Sequence, residues 1–329
     1  MGKLNKYAKF AWFVLGFNIL VVLWGAYVRA TGAGAGCGSH WPSCNGEVVP
    51  QAPELETMIE FLHRLTSGAA LLLVLALLIW FLRAFPKGHP ARLGAVLTSV
   101  FIILEALVGA MLVLNEWVAG DVSIGRVVSQ GIHLLNTFLL LASLALTAFW
   151  AGGGERLRLK GQGWLAWGLG LGAVLMLALG VSGAITALGD TLFKVDSLAE
   201  GLAADFHPES HFLVRLRVWH PILAIITALY TAFVSLLAAM FYPSPPVKRL
   251  TTGLIILLLV QLAAGLVNLL LLAPVAMQIV HLLLADLVWI NYVWLAASLL
   301  SLPAVAAQPA SEDTPLAGLQ RESDPIELL

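Results

Sequence analysis

The chain has 329 residues, of which 60% are hydrophobic and 11% charged, with a formal net charge of −1 and a mean hydropathy of +0.90. Soluble domains carry about 25% charged residues, so most of this chain has lipid as its solvent. Nothing in it reads as a nucleic-acid-binding surface, and the net charge says nothing about partners.

A bilayer core about 30 Å thick takes roughly 20 apolar residues per helix. Eight runs qualify, at about 10–29, 60–83, 92–114, 127–150, 164–188, 212–242, 250–272 and 275–300. The first follows Lys3, Lys6 and Lys9 but is too long for the apolar region of a secretory signal. It is read as a retained span.

Loop charge orients the spans. The amino-terminal tail (Lys3, Lys6, Lys9), the second loop (Arg83, Lys87, Arg92), the fourth (Arg156, Arg158, Lys160) and the sixth (Lys248, Arg249) are basic. The first loop (Glu47, Glu54, Glu56), the third (Glu116, Asp121) and the fifth (Asp190, Asp196, Glu200, Asp205, Glu209) are acid-rich. Basic loops stay in the cytoplasm, which puts both termini inside a multi-pass protein of the cell membrane. The stretch 303–329 is rich in Ala, Pro, Ser and Glu without apolar periodicity and reads as a disordered cytoplasmic tail.

The spans repeat in order. Gln130-Gly-Ile-His133-Leu-Leu in the fourth matches Gln278-Ile-Val-His281-Leu-Leu in the eighth. Glu105-Ala-Leu-Val-Gly109 in the third matches Gln261-Leu-Ala-Ala-Gly265 in the seventh. The end of the first span, from Gly25 to Gly32, matches the end of the fifth, from Gly183 to Gly189, and His63 matches His220. The expected fold is all-α, with two tandem four-helix bundles (1–152 and 153–302) related by a pseudo-two-fold axis along the membrane normal. Four spans return the chain to its starting side, so the copies form a parallel repeat.

His63, His133, His220 and His281 each come roughly 4–10 residues into an even-numbered span. At 1.5 Å per residue they lie about 6–15 Å below the outer surface. Two imidazoles at matched depth on neighbouring helices can ligate one haem iron from both sides. The pattern thus suggests two bis-histidine haem sites toward the outer face. Hydrogen bonding between helices is the bland alternative for any one of them. Zinc is less attractive without a cysteine beside them, and a proton relay would not require paired depths.

Arg29, Arg64, Arg126, Arg215 and Arg217 cluster at the outer helix ends, where the positive-inside bias disfavours cations. Pairing with haem propionates would explain them; snorkelling to lipid headgroups is the alternative. Glu60 lies one turn outward of His63 on the same face, either as a favourable charge at a helix amino-terminus or as an acid/base group. Cys37 and Cys44 face the oxidising side, as a local disulfide or as exchange-active thiols. Glu105 and Asp286 are polar oddities without an assigned role, as are the loop histidines His40, His89, His207 and His211.

Taken together, these motifs resemble haem A synthase, the membrane enzyme family that converts haem O to haem A for cytochrome oxidase. The matching residues are the Gly-Ala-Tyr-Val-Arg-Ala-Thr-Gly run, the loop ending Trp-Pro-Ser-Cys44-Asn-Gly, Glu60-x-x-His63-Arg64, His133, Trp219-His220-Pro221 and His281. The resemblance spans all eight helices and, through the cysteine loop, points to the bacterial form that carries a disulfide. It implies haem b as cofactor on His220 and His281, substrate haem on His63 and His133, and a Glu60 important for activity. The implied reaction turns a porphyrin methyl into a formyl group by two hydroxylations and loss of water. Implied partners are haem O synthase, cytochrome oxidase assembly factors and an electron donor that the sequence does not identify; a homo-oligomer is compatible. Two competing readings are a quinone-linked di-haem b electron carrier, which would place its haems near opposite faces, and a transporter, since internal repeats are common there.

Overall fold

The computed structural model describes residues 5–302; the expected tail at 303–329 and Lys3 lie outside the described residues. Among the described residues, eight helices are long and apolar enough to cross a membrane. They are α1 (Lys6–Thr31), α2 (Leu55–Ala84), α3 (Pro90–Leu114), α4 (Ile124–Ala151), α5 (Trp164–Leu192), α8 (Trp219–Phe241, extended backward by a short α7 at Phe212–Leu216), α9 (Pro245–Leu270) and α10 (Val275–Leu300). A short helix, α6 (Leu198–Phe206), precedes α7 in the fifth loop. Among the described residues there is no strand, only an isolated bridge between Cys44 and Glu47.

Local chemistry sets the helix ends. Asn5, Ser123 and Ser244 cap α1, α4 and α9 by accepting backbone N–H bonds. Pro90 and Pro245 occupy first-turn positions, where a missing N–H costs nothing. The α1 carboxy-terminus closes on Gly32 at φ 78°, a left-handed conformation that favours glycine. The expected sixth span is interrupted at Arg217–Val218 although both keep helical dihedrals. Pro221 has no N–H to offer the Arg217 carbonyl, which instead accepts from His220 N–H at 3.3 Å.

The second helix begins at Leu55, before the apolar run, because its first turn lies in the acidic loop. Glu60 is therefore in the second turn rather than at the tip.

α4 and α10 are the most buried spans and join the two halves. Across that seam Trp289 donates its indole N–H to Phe138 O at 2.7 Å, and Trp294 donates to Ala145 O at 3.0 Å. Phe138 and Trp289 stack with centroids 5.8 Å apart. Outward faces carry exposed side chains such as Leu72, Trp167 and Leu229. So much apolar exterior has its natural solvent in a bilayer, making the protein a multi-pass membrane protein.

Candidate functional site

The four histidines sit in the same end of the helix bundle as the cysteine loop. His63 is eight residues past Leu55, His133 nine past Ile124, His220 eight past Phe212 and His281 six past Val275. At 1.5 Å per residue their depths span about 9–14 Å, within the range expected from the sequence.

Three of them rest on glycines of the neighbouring helix. A Cβ on Gly25 would come within 2.9 Å of His63, one on Gly183 within 2.9 Å of His220, and one on Gly265 within 3.0 Å of His281. These glycines belong to the matched motifs, so the repeat marks where a helix must approach an imidazole closely.

The His220 and His281 rings lie 6.4 Å apart, nearly perpendicular. Two imidazoles on opposite sides of one metal, each bound at about 2 Å, put their ring centres about 6 Å apart. The spacing of this pair is close to that value. His220 Nδ1 is 2.9 Å from Ser182 Oγ, and the second nitrogen of a ring so held is the one free to ligate. Gln261 Nε2 stands 3.4 Å from His281 Nε2, and His281 Nδ1 is buried without a partner.

In the first half, His133 Nδ1 meets Glu105 Oε1 at 2.8 Å. Asn136 Nδ2 and Thr137 Oγ1 also donate to the Glu105 carboxylate, and Asn136 Nδ2 reaches Phe101 O at 2.8 Å. His63 has no such support: its Nδ1 is buried without a partner. It lies within electrostatic range of His133 and Glu105.

Above His63, the first loop closes on α2. Cys37 and Cys44 are joined in a disulfide and are buried. Cys37 N–H donates to Glu60 Oε2 at 2.8 Å. Arg64 pairs with Glu60 Oε1 and donates to the loop carbonyls of His40 and Ser43, both at 2.6 Å. Thr57 Oγ1 donates to Gly36 O at 2.7 Å, and Trp24 Nε1 to Ile59 O at 3.1 Å. Glu60 is thus buried at 4% exposure yet satisfied on both oxygens.

The remaining outer arginines have varied surroundings. Arg29 crosses from α1 to the second half, donating to Ala187 O (2.7 Å), Thr191 Oγ1 (2.8 Å) and Gln278 Oε1 (2.8 Å). Arg126 donates to the loop carbonyls of Ala119 and Asp121. Arg217, which occupies the position equivalent to Glu60, pairs with Asp190 at 3.1 Å and Asp205 at 2.7 Å. Arg215 is exposed and lines an outer cleft of about 600 Å³ with Asp205, Phe206, Phe212 and Trp219. Asp286 is fully buried, and neither carboxylate oxygen has a protein partner.

Sequence reasoning singled out the histidines, Glu60 and the cysteines, of which the structure joins the cysteines, but missed what Glu105 touches. The signal lay in the repeat, which places Glu105 opposite Gln261, each contacting the following helix's histidine.

The family model described as cytochrome oxidase assembly protein (COX15-CtaA) matches residues 8–293. A protein of Thermus thermophilus named protoheme IX farnesyltransferase is 58% identical over 296 residues, which is 90% of this chain and 49% of that protein. The chain thus spans about half the length of the Thermus relatives it matches. A protein named heme A synthase from Exiguobacterium sibiricum is 40% identical over 106 residues, covering 32% of this chain and 36% of its own. Another with that name, from Bacillus cereus, is 46% identical over 92 residues, or 28% and 30%.

Proposed function

We propose that this chain, which belongs to the cytochrome oxidase assembly protein family that includes haem A synthases, oxidises a ring methyl of haem O to the formyl group of haem A. In this reading residues 1–152 and 153–302 are two four-helix bundles related by a pseudo-two-fold axis. The equivalent contacts support it: His63 on Gly25 and His220 on Gly183, His133 at Glu105 and His281 beside Gln261. Following the loop charges, both termini face the cytoplasm and the histidine sites face outward.

The second half holds haem b between His220 and His281, whose ring spacing suits it. When bound there, the haem supplies one-electron transfer. The first half takes the substrate haem between His63 and His133. Its distinguishing group is Glu60, which touches the loop through Cys37 N–H and Arg64. Glu60 holds and passes the protons that hydroxylation and dehydration move, while the disulfide loop keeps its carboxylate aimed. Arg215 has no protein acceptor among the described residues and is the first candidate for a propionate. Arg29, Arg64, Arg126 and Arg217 would serve a propionate only by sharing donors already engaged.

The observation that carries this reading is a carboxylate clamped beside one histidine pair while its repeat counterpart, Arg217, lies in ion pairs beside the other. A di-haem electron carrier would share the histidines but would have no use for that asymmetry. Farnesyl transfer, the activity in the Thermus relatives' name, is not adopted: this chain covers 49% of them, and 286 of its own residues fall in the oxidase-assembly family match. The partners that follow are a haem O synthase upstream, oxidase assembly factors downstream and a reductant.

Extraction and chromatography of bound porphyrins test the proposal. Haem O and haem A beside haem b are expected. Haem b alone at two per chain would favour the carrier, and haem O made from protohaem would favour farnesyl transfer.

A further inference from the structure

We propose that Glu105 is the positioning residue that makes His133 the fixed axial ligand of the substrate haem and leaves His63 as the exchangeable one. The inference rests on the reading that His63 and His133 hold that haem. A haem ligated by two histidines has both faces closed, so a further ligand reaches its iron only when one imidazole leaves. Which one leaves depends on how each is held.

His133 is held by a built network. Three donors converge on Glu105: His133 Nδ1 at 2.8 Å, Asn136 Nδ2 and Thr137 Oγ1. Asn136 and Thr137 follow His133 on α4, and Asn136 also ties Glu105 to its own helix through Phe101 O. An ionised carboxyl is acceptor-only and can take several donors. With Nδ1 so engaged, the ring is oriented, its other nitrogen is directed to a metal, and its basicity is raised.

His63 has the opposite surroundings. It packs on Gly25, which offers no side chain, and its Nδ1 is buried without a partner. An unsatisfied buried polar atom costs about 1–3 kcal/mol, so this orientation is poorly stabilised by the protein alone.

The cofactor pair shows how the difference arose. His220 is held by Ser182 Oγ. The repeat counterpart of Ser182 is Trp24, whose indole N–H is spent on Ile59 O, so His63 has no matching hydroxyl. The counterpart of Glu105 is the neutral Gln261, 3.4 Å from His281. His281 Nδ1, like His63 Nδ1, is buried without a partner, and Gln261 meets the Nε2 of His281 instead. Each pair thus has one ring held through Nδ1, but on opposite members: His220 by Ser182 in the second half and His133 by Glu105 in the first. His63 is one turn from Glu60, so its departure opens the substrate on the side where the clamped carboxylate stands.

The test uses the full chain in detergent, loaded with ferric protohaem to two per chain. His63→Ala should retain both haems, with the substrate-site haem becoming five-coordinate and high-spin. His133→Ala should lose that haem on gel filtration. Glu105→Gln should raise the midpoint potential of the substrate-site haem while leaving the His220/His281 haem unmoved, since a neutral partner donates less electron density through the imidazole. Loss of scaffolding alone would not produce that selective shift. If Glu105→Gln yields no protein, Glu105→Asp weakens the same contact and must shift the potential in the same direction. Equal haem loss from the two histidine variants, or an unmoved potential in the Glu105 variant, overturns the inference. Wild-type protein that binds one haem only, lost in His220→Ala and indifferent to His63 and His133, overturns the underlying reading instead.

Discussion

Glu60→Gln separates a catalytic role from a structural one, because the two predict losses of different size. Glutamine keeps the length and an oxygen that can still accept from Cys37 N–H, now 2.8 Å from the carboxylate. What it loses is the charge that pairs with Arg64. Removing one partner of a buried ion pair costs about 3–5 kcal/mol when the other charge is stranded. Arg64 is not stranded, since the carbonyls of His40 and Ser43 still accept from it. The expected stability loss is therefore about 1.5–3 kcal/mol, that of one charged hydrogen bond. A group that passes protons in the reaction contributes about 100- to 10,000-fold in rate, or about 3–5 kcal/mol at the transition state. The assay is the rate of formyl-haem production, followed by chromatography of extracted porphyrins, beside thermal unfolding in detergent. Haem A formation should fall at least 100-fold while unfolding shifts modestly and haem b content stays normal. A variant that makes haem A at the wild-type rate would refute the proton-transfer role and leave Glu60 as a loop anchor.

His220→Ala or His281→Ala should remove most low-spin haem b absorbance and His63→Ala should spare it; an unchanged spectrum in His220→Ala would end the cofactor assignment. Thiol labelling of denatured, unreduced protein should miss Cys37 and Cys44, which are bonded to each other, and ready labelling would contradict the bridge. Replacing both cysteines with serine loosens the loop that delivers Cys37 N–H to Glu60, so haem A formation should drop with haem b retained; full activity would show that Glu60 needs no clamp. Trp289→Phe deletes the bond to Phe138 O across the seam between halves and should destabilise by about 1–3 kcal/mol in thermal unfolding, a loss that an unshifted transition would disprove.

Much of this was legible because lipid imposes a simple rule: each span must be long, apolar and helical. Runs of about 20 such residues, broken by charged loops, located all eight spans. The histidines stood out because an imidazole at that depth needs a reason. The places where reading failed are those set by loop conformation or helix rotation. The partners of Arg126 depend on a loop that passes through positive φ at Glu116 and Ala119, which no apolar pattern encodes. Arg29 was legible as an arginine at an outer helix end, but that its guanidinium reaches α5 and α10 depends on helix rotation. The break before α8 was foreshadowed by Pro221, but a hydropathy run passes smoothly across it.

The repeat we propose would explain why the two halves can share a scaffold and still divide the labour. Glycines that admit an imidazole recur in both copies, at Gly25 and Gly183 on one pair of helices and at Gly265 in the second half. These set backbone spacing, and a larger residue would collide with the ring. The residues around each imidazole are free to differ, because they alter its partners rather than the helix packing. Glu60 faces Arg217 across the repeat, Glu105 faces Gln261, and Trp24 faces Ser182. The first two differences move the first half toward carboxylates near its histidines and the second toward neutral or cationic neighbours, and the third removes a hydroxyl partner from His63. A cofactor that only exchanges electrons requires a site that holds still. In the division we propose, the substrate site has one ligand that yields and a carboxylate nearby to handle protons, and the carboxylates Glu60 and Glu105 both lie in the first half.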